Sequence, residues 1–258
     1  MGSKQPEGPP PPPTVQKLRI RYAKRGRLRF ASHRDFARAF ERALRRARVP
    51  MAYSAGFTPH PKVSYANAAP TGVASEAEYL EIGLTREVDP DDLRRALDAA
   101  LPDGLDVVEV VPAGPGSLAE RMQASLWRVE LPGVGEARLA AALDAFLAEA
   151  EVPVERVTKD GRRSVDARGA VVRATVTGAV PGEASNPDES IRAIMELVVR
   201  QVTPAVRPDD VLTALRVIAG LAPEAPPVAV RVAQGPLDDS GAIGDPLQAD
   251  RRPPGTSA

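Results

Sequence analysis

The sequence predicts an α+β protein made of two tandem ferredoxin-like halves, with antiparallel sheets and helices on one face. Short runs of alternating apolar and polar residues indicate strands, and apolar stripes of 3.6-residue period indicate helices. These elements follow the order strand, helix, strand, strand, helix, strand, and the order recurs less clearly in the second part of the chain. Such an order is typical of a ferredoxin-like sandwich.

The N-terminal half is predicted to span residues 15–115. Ser32 and Asp35 have the spacing of a capping box at the start of an amphipathic helix, which ends before Pro50. A second helix begins with Asp89 as its cap, followed by proline at the first helical position. The predicted strands of this half are 15–22, 63–66, 78–84 and 105–111.

The C-terminal half is predicted to span residues 120–233, with helices over 136–149 and 207–215. The segment 191–202 fits either a strand or a helix, and its valines favour a strand. The other predicted strands are 125–131, 152–159, 170–177 with a possible start at Ser164, and 228–232.

Both ends of the chain are predicted to be disordered. Residues 1–14 contain a run of five prolines, which favours polyproline II and forms no core. Residues 234–258 are dominated by proline, glycine, aspartate and serine, which bury too little apolar surface to order the chain.

Composition excludes several classes of chemistry. The chain has no cysteine, so it has no disulfide, no thiolate zinc site, no cysteine nucleophile and no cysteine-bound iron–sulfur cluster. It also lacks a P-loop, a dinucleotide fingerprint, a serine elbow and a metalloprotease helix. We expect no cofactor, no metal site and no membrane span, and a cytoplasmic location.

Positive charge is concentrated near the N-terminus. Residues 17–62 hold 14 Lys and Arg against 2 Asp and Glu, whereas residues 63–258 hold 19 against 31. On the predicted first helix, Arg34, Arg38 and Arg45 face away from the apolar stripe. We interpret this pattern as a nucleic-acid footprint, with a merely solvated basic face as the alternative.

Aromatic residues are concentrated in the same region. Tyr53 and Phe57 lie in or beside a loop with prolines around His60, where rings can stack on exposed bases. Phe30, Phe36 and Phe40 are instead predicted to belong to the core. The RNA-binding residues that we predict are Arg34, Arg38, Arg45, Tyr53, Phe57 and Lys62.

Both histidines of the chain lie in this region, close to Asp35 and Lys62. If the protein is an enzyme, His33 and His60 are the predicted acid and base, with Lys62 or a neighbouring arginine stabilising a phosphorane. Structural roles for both histidines remain the alternative.

Several runs of the sequence resemble an uncharacterised bacterial family called radical SAM-linked or radical SAM-associated protein. They are Phe30–Asp35, Arg45–Ser64 with its Pro-His-Pro-Lys motif, Glu78–Glu81, Arg163–Asp166 and Arg207–Leu212. The resemblance covers about residues 15–235. It implies a family-type site formed by His33, Asp35, Tyr53, Ser54, Gly56, Phe57, His60, Lys62 and Ser64.

The same resemblance implies partners in RNA modification or processing, namely a radical SAM enzyme or a ribonuclease of the E/G type. Because this chain has no cysteine, it cannot hold a radical SAM cluster and can only assist a separate enzyme. We therefore predict a non-catalytic, RNA-binding accessory protein. The alternatives are a metal-free ribonuclease-like enzyme using His33 and His60, and a scaffold that binds only proteins.

Overall fold

The computed structural model describes residues 11–158, 161–181 and 191–251. The chain forms two compact units: unit 1 is Met1–Arg121 with Pro246–Ala258, and unit 2 is Met122–Asp245. Most of the predicted disordered leader, residues 1–10, lies outside the described residues, as do residues 252–258 of the predicted tail.

The described part of unit 1 contains four strands and two α-helices, in the order that the sequence predicts. They are β1 (Gln16–Lys24), α1 (His33–Arg46), β2 (Val63–Ala66), β3 (Ala74–Leu84), α2 (Pro90–Asp98) and β4 (Leu105–Pro112). β1 pairs with both β3 and β4, and β2 pairs with β3 along the edge that β1 leaves free. Every one of these pairings is antiparallel.

Local signals set the ends of α1. The predicted capping box is present: the Ser32 hydroxyl accepts the Asp35 backbone N–H at 3.2 Å, and the Asp35 carboxylate accepts the Ser32 backbone N–H at 3.3 Å. After the helix, Arg48 has a left-handed backbone with φ of 52°. The Val49 N–H then donates to the Leu44 carbonyl at 3.0 Å, which closes the last turn.

The core of unit 1 lies between its sheet and its helices. Phe36 of α1 stacks on Tyr22 of β1 with 4.2 Å between ring centroids, and Phe40 packs behind Phe36 at 5.7 Å. Burying each such side chain contributes roughly 1.5–3 kcal/mol. The core residues of β1 and β3 are Leu18, Ile20, Tyr22, Leu80, Ile82 and Leu84.

The opposite face of the same sheet is charged, because successive side chains of a strand point to opposite faces. Lys17 and Arg19 of β1 lie on this face, next to Glu81 of β3. We call it the charged face. It is the side of the unit 1 sheet opposite to α1 and α2.

Unit 2 repeats the alternation of strands and helices, with one added hairpin. Its elements are β5 (Ala124–Pro132), α3 (Glu136–Ala148), β6 (Pro153–Thr158), β7 (Gly161–Asp166), β8 (Val171–Pro181), β9 (Ile191–Arg200), α4 (Pro208–Ala219) and β10 (Val228–Gly235). Its main sheet has the strand order β10-β5-β9-β8, and among the described strands β6 pairs only with β7.

The structure resolves two ambiguities in the sequence of unit 2. The segment from Ile191 is a strand, as predicted, since β9 pairs on both sides with β5 and β8. The possible single strand from Ser164 is instead two strands. The Asp166 carboxylate accepts the backbone N–H groups of Arg168 and Gly169, which stabilises a turn between β7 and β8.

The residues that the structure describes therefore form a mixed α/β fold with mainly antiparallel pairing and four α-helices. This agrees with the predicted α+β class. None of these helices is long and apolar enough to cross a membrane.

The end of the chain differs from the predicted disordered tail over residues 234–251. β10 continues to Gly235, and Leu237 forms a bridge with Ile243. In unit 1, the Asp250 carboxylate is fully buried and accepts two hydrogen bonds of 2.8 Å from the Arg19 guanidinium. A buried, paired charge of this kind holds the segment in place although its composition is typical of disorder.

Candidate nucleic-acid interface

The exposed side of α1 carries a row of cations, which we call the arginine ridge. The buried side chains of this helix, among them Phe36, Phe40 and Leu44, all pack into the core. The helical period places the arginines on the other side. The ridge consists of the exposed residues Arg34, Arg38, Arg42, Arg45 and Arg46.

The ridge differs from Arg25 and Arg121 of unit 1, whose charges are neutralised by carboxylates. Arg25 pairs with Asp106 at 2.8 Å, and Arg121 pairs with Asp250 at 2.7 Å. Within the described part of the chain, no carboxylate forms an ion pair with a ridge arginine. Arg46 donates only to a backbone carbonyl. The ridge is therefore available to an external polyanion.

Asp35 is the acidic residue closest to the start of the ridge, and the helix cap holds it. Hydrogen bonds from Ser32, and then the nearby charges of Arg38 and Arg34, lower the pKa of the Asp35 carboxyl. This residue, assigned by sequence to the family-type site, therefore caps α1 in the structure. Its carboxylate forms no ion pair with the described ridge arginines, although it lies near Arg34 and Arg38.

His33 begins α1 and contacts Tyr65 of β2 edge to face, with 4.6 Å between ring centroids. Tyr65 in turn meets Phe36 of the core at 6.0 Å. Burial, assisted by the charge of Glu41, raises the pKa of Tyr65 to about 12, so its phenol is neutral at ordinary pH. The His33 ring is therefore in contact with the half-buried Tyr65 ring, although His33 itself is exposed.

Phe30 is the functional candidate that sequence reasoning missed. It was predicted to be buried, but its side chain is 59% exposed and carries the Arg29 guanidinium over its ring at 4.7 Å. The reason is a short 3-10 helix, Gly26–Phe30, which follows neither the strand period nor the α-helix period. The positive φ of Gly26, 52°, marks the start of this turn, and the glycine was the available signal.

The backbone around Phe30 is fixed from both sides. Leu28 packs against the core of unit 1, and the Gly72 N–H donates to the Arg29 carbonyl at 2.8 Å. Ala31 also donates to the Leu28 carbonyl at 2.9 Å. An exposed aromatic ring therefore stands on a rigid turn directly before α1.

The loop between Tyr53 and Pro61 forms a second exposed segment. Its ends are joined because Ser54 N–H donates to the His60 carbonyl at 2.9 Å, and His60 N–H donates to the Ser54 hydroxyl at 3.0 Å. Gly56 at the tip has φ of 136°, a conformation that side-chain-bearing residues rarely adopt. Phe57 is 73% exposed and Tyr53 is 40% exposed.

Lys62 and Ser64 do not join the arginine ridge. Val63 and Tyr65 of β2 pack towards the core, so their neighbours Lys62 and Ser64 lie on the charged face, across the sheet from α1. Lys62 Nζ donates there to the Thr14 hydroxyl at 3.0 Å. The sequence placed these residues in one site with the ridge because neighbours in sequence were treated as neighbours in space.

The two histidines also make different contacts. His33 meets Tyr65, whereas His60 is bonded through its backbone to Ser54, and no contact between the histidines is present in residues 11–158. No group of three potential metal ligands of the histidine or carboxylate type occurs among the described residues. The main chemical groups that this region exposes are therefore the guanidinium groups of the arginine ridge and the aromatic rings of Phe30, Tyr53 and Phe57.

Comparison with known proteins identifies the family. A model of uncharacterized proteins conserved in bacteria, DUF2344, matches residues 17–208. The chain belongs to the DUF2344 family. That match includes all of α1 and all but the first residue of β1, and it shows no link to radical SAM enzymes. No curated protein matches this DUF2344 chain.

Solved structures similar to this DUF2344 protein are distant. One is Thermus thermophilus Cse3 bound to an RNA representing a pre-cleavage complex, with 13% identity, a TM-score of 0.22, and coverage of 77% of this chain and 90% of that one. Another is DyPB from Rhodococcus jostii RHA1, with 14% identity, a TM-score of 0.18, and coverage of 80% and 84%. At these TM-scores neither structure supports an argument about function.

Proposed function

We propose that this protein binds RNA through the arginine ridge and acts as a non-catalytic accessory to a separate RNA-acting enzyme. The observation that carries the proposal is the contrast in charge pairing. Ridge arginines are exposed and lack ion pairs in the described structure, whereas Arg19, Arg25 and Arg121 are paired with carboxylates. Unpaired cations on one rigid face attract a phosphate backbone and release its counterions.

The shape of the ridge also supports a linear polyanion. α1 has 14 residues and is therefore about 20 Å long. Arg34, Arg38 and Arg45 lie along this length on its exposed side. The capping box and the packed core hold the helix in place, so binding costs little ordering of the backbone.

Exposed rings favour single-stranded or looped RNA over a regular duplex. Phe30 stands immediately before the ridge, and Tyr53 and Phe57 belong to the loop that follows α1 in the chain. Single strands offer unpaired bases that stack on such rings, whereas bases in a duplex are already stacked on each other. Phe30 and Arg29 together form the platform that we assign to one base.

We further propose that each unit is ferredoxin-like. In unit 1, β1 lies between β3 and β4 with β2 beyond β3, and in unit 2 the order is β10-β5-β9-β8. Each order corresponds to 4-1-3-2 when the strands of one unit are counted along the chain, leaving out the β6–β7 hairpin. This pairing order supports the proposal.

The enzyme that the protein assists is proposed from sequence resemblance alone. The motif runs between Phe30 and Ser64 suggest a radical SAM enzyme or ribonuclease E/G-type machinery as the partner. The chain contains no cysteine, so any such iron–sulfur cluster belongs to the other protein.

The proposal is tested by neutralising the ridge. We expect Arg34→Gln, Arg38→Gln and Arg45→Gln combined to weaken binding of a short single-stranded RNA at least tenfold. The slope of log K against log salt should also fall by about 2, because three phosphate contacts are lost. Fluorescence anisotropy over a salt series measures both quantities.

The matched control replaces three exposed arginines outside the ridge, Arg86, Arg138 and Arg216, with glutamine. This variant loses the same total charge as the ridge variant. Because its three arginines lie outside the proposed contact with RNA, it should retain the salt slope of the original protein. Equal binding by the ridge variant and the unmodified protein would contradict the proposal.

The same purified protein distinguishes the alternative functions. After incubation with total cellular RNA, retained RNA with intact ends supports an accessory role and identifies the RNA. New discrete ends that disappear in His33→Ala would instead assign a ribonuclease-like enzyme. If no RNA is retained at low salt, RNA binding is contradicted, and a scaffold that binds only proteins is the hypothesis that remains.

A further inference from the structure

The charged face of unit 1 contains two clefts that lie on the other side of the sheet from the arginine ridge. Two rows of residues cross its strands. In the first row Gly83 of β3 lies opposite Lys17 of β1, and on its other side the Gly83 N–H donates to the Lys62 carbonyl at 3.0 Å. The second row consists of Arg19, Glu81 and Ser64.

Gly83 has no side chain, and the Thr14 side chain occupies the space above it. A Cβ atom added at Gly83 would lie 3.1 Å from Cγ2 of Thr14 and 3.4 Å from Cβ of Lys62. Neighbouring strands are about 4.8 Å apart, so the backbones of Lys17 and Lys62 are separated by about two such spacings. Lys17 and Lys62 therefore lie on the two sides of Gly83.

Two clefts open along these rows. One has a volume of about 390 Å³ and reaches from Lys17 and Arg19 to the loop at Gly114 and Gly116. The other, of about 350 Å³, is lined by Thr14, Lys62 and Gly83. Both share Lys17, Ser64 and Glu81 as lining residues. Volumes of this size are at the lower end of the range for small-molecule sites.

The donors in the clefts are only partly used. Each nitrogen of the Arg19 guanidinium donates a hydrogen bond, to Glu81, to Asp250 or to the Gly116 carbonyl. By contrast, Lys17 donates one hydrogen bond to Glu81, and Lys62 donates one to Thr14, although an ammonium has three N–H donors. In the described structure the Ser64 hydroxyl makes no hydrogen bond. Four ammonium N–H groups and one hydroxyl therefore remain for a ligand.

The charged side chains at the clefts carry a net positive charge, which favours an anionic ligand. Arg19 and Lys17 neutralise Glu81, and Asp250 is held by Arg19 and Arg121. Lys62 adds a positive charge with no carboxylate partner among the described residues. A small, doubly charged oxyanion with several acceptors matches two flexible ammonium groups better than a planar carboxylate does.

We propose that these clefts bind the phosphate group of a small phosphorylated ligand, held by Lys17, Lys62 and the Ser64 hydroxyl. The site lies on the opposite side of the sheet from α1, so it goes beyond the proposed RNA binding and does not depend on it. Glu81 is the positioning residue, because its ion pair with Lys17 holds the Lys17 ammonium beside the clefts.

Isothermal titration of the full chain with 5′-AMP and with inorganic phosphate at low salt tests the site. We expect both to bind, and Lys62→Gln and Lys17→Gln each to weaken binding about tenfold or more, because each removes a charge-assisted hydrogen bond. Arg86→Gln is the control, since it removes one exposed cation elsewhere. Lys17 and Lys62 are exposed, so the variants should keep the original unfolding temperature.

Comparison of different phosphate-containing probes identifies the kind of molecule that carries the phosphate group. Tighter binding of 5′-AMP than of inorganic phosphate assigns a nucleotide, and equal affinity assigns a bare phosphate group. Preference for a short RNA with a 5′-phosphate over the same RNA with a 5′-hydroxyl, retained in the ridge variant, assigns an RNA end. No binding of any phosphate probe, or equal binding by Lys62→Gln, overturns the inference while leaving the ridge proposal intact.

Discussion

Single aromatic residues near the start of α1 differ sharply in exposure. Phe36 and Phe40 are almost completely buried and form part of a stacked row. Phe30, of the same residue type and nearby in sequence, is exposed and covered on one side by Arg29. Because an exposed ring has no role in the core, Phe30 is the residue whose loss should affect binding without affecting stability.

We expect Phe30→Ala to weaken binding of single-stranded RNA by about 5- to 150-fold, the range that corresponds to 1–3 kcal/mol for one stacked base. The salt slope should stay unchanged, because no charge is lost. Quenching of 2-aminopurine fluorescence in a labelled RNA reports the stacking directly.

The control for this prediction is Val217→Ala, which shortens an exposed apolar residue of α4. An unchanged affinity together with unchanged quenching in Phe30→Ala would remove Phe30 from the interface. The ridge would still be tested separately by its own variant.

At the scale of elements, α1 is the best-defined part of the proposed interface, because the sequence signals that form this helix are local. Its cap, apolar stripe and chain reversal all lie between Ser32 and Pro50. The loop from Tyr53 to Pro61 also closes on itself through Ser54 and His60. A rigid helix and a closed loop present cations and rings in fixed positions, which lowers the entropic cost of binding.

Ser32→Ala should destabilise the protein by about 1 kcal/mol, because it removes the side chain that caps α1. The free energy of unfolding in urea measures this loss. The control is Ser164→Ala, which removes an exposed serine of β7 that caps no helix. Equal stability of the two variants would show that the capping box contributes little.

At the scale of the whole molecule, charges distant in sequence are brought together in unit 1. Asp250 and Arg19 are 231 residues apart and form a buried ion pair, which Arg121 and the Gly114 N–H complete. Burial by itself raises the pKa of Asp250, but the hydrogen bonds from Arg19 and Arg121 outweigh it, so this pKa is lowered. The pair ties residues 246–251 to β1 and to the loop after β4.

Asp250→Asn should destabilise unit 1 by about 3–5 kcal/mol, because it leaves the buried Arg19 without its main counter-charge. The sign of the pH effect follows from the lowered pKa. The folded state binds this proton less tightly than the unfolded state, so the stabilisation is complete above the unfolded pKa of about 4 and is lost as pH falls through the lower folded pKa.

Thermal unfolding of unmodified protein and Asp250→Asn over a pH series measures this effect. The difference in stability should shrink as the pH falls below about 4. Asp239→Asn, at an exposed aspartate, is the control. A constant difference between Asp250→Asn and the unmodified protein at all pH values would contradict the role of the Asp250 charge.

Much of the fold could be predicted from sequence, because its signals are short-range. The capping box of α1 is confirmed, and β9 is a strand as its valines indicated. The boundary between β7 and β8 was missed, because the turn depends on hydrogen bonds that the Asp166 carboxylate accepts from the backbone N–H groups of Arg168 and Gly169. The order of residues 236–251 was missed for the opposite reason: its partner, Arg19, lies at the other end of the chain.

The sequence by itself determined the four α-helices, most of the strands and the row of arginines on one face of α1, since the helical and strand periods depend only on local backbone geometry. Tertiary structure alone decided which charges are neutralised and which side chains share a face. It paired Arg19 with Asp250, left the ridge without ion pairs in the described chain, exposed Phe30 and put Lys62 across the sheet from α1. These properties depend on packing between distant segments, which no local pattern encodes.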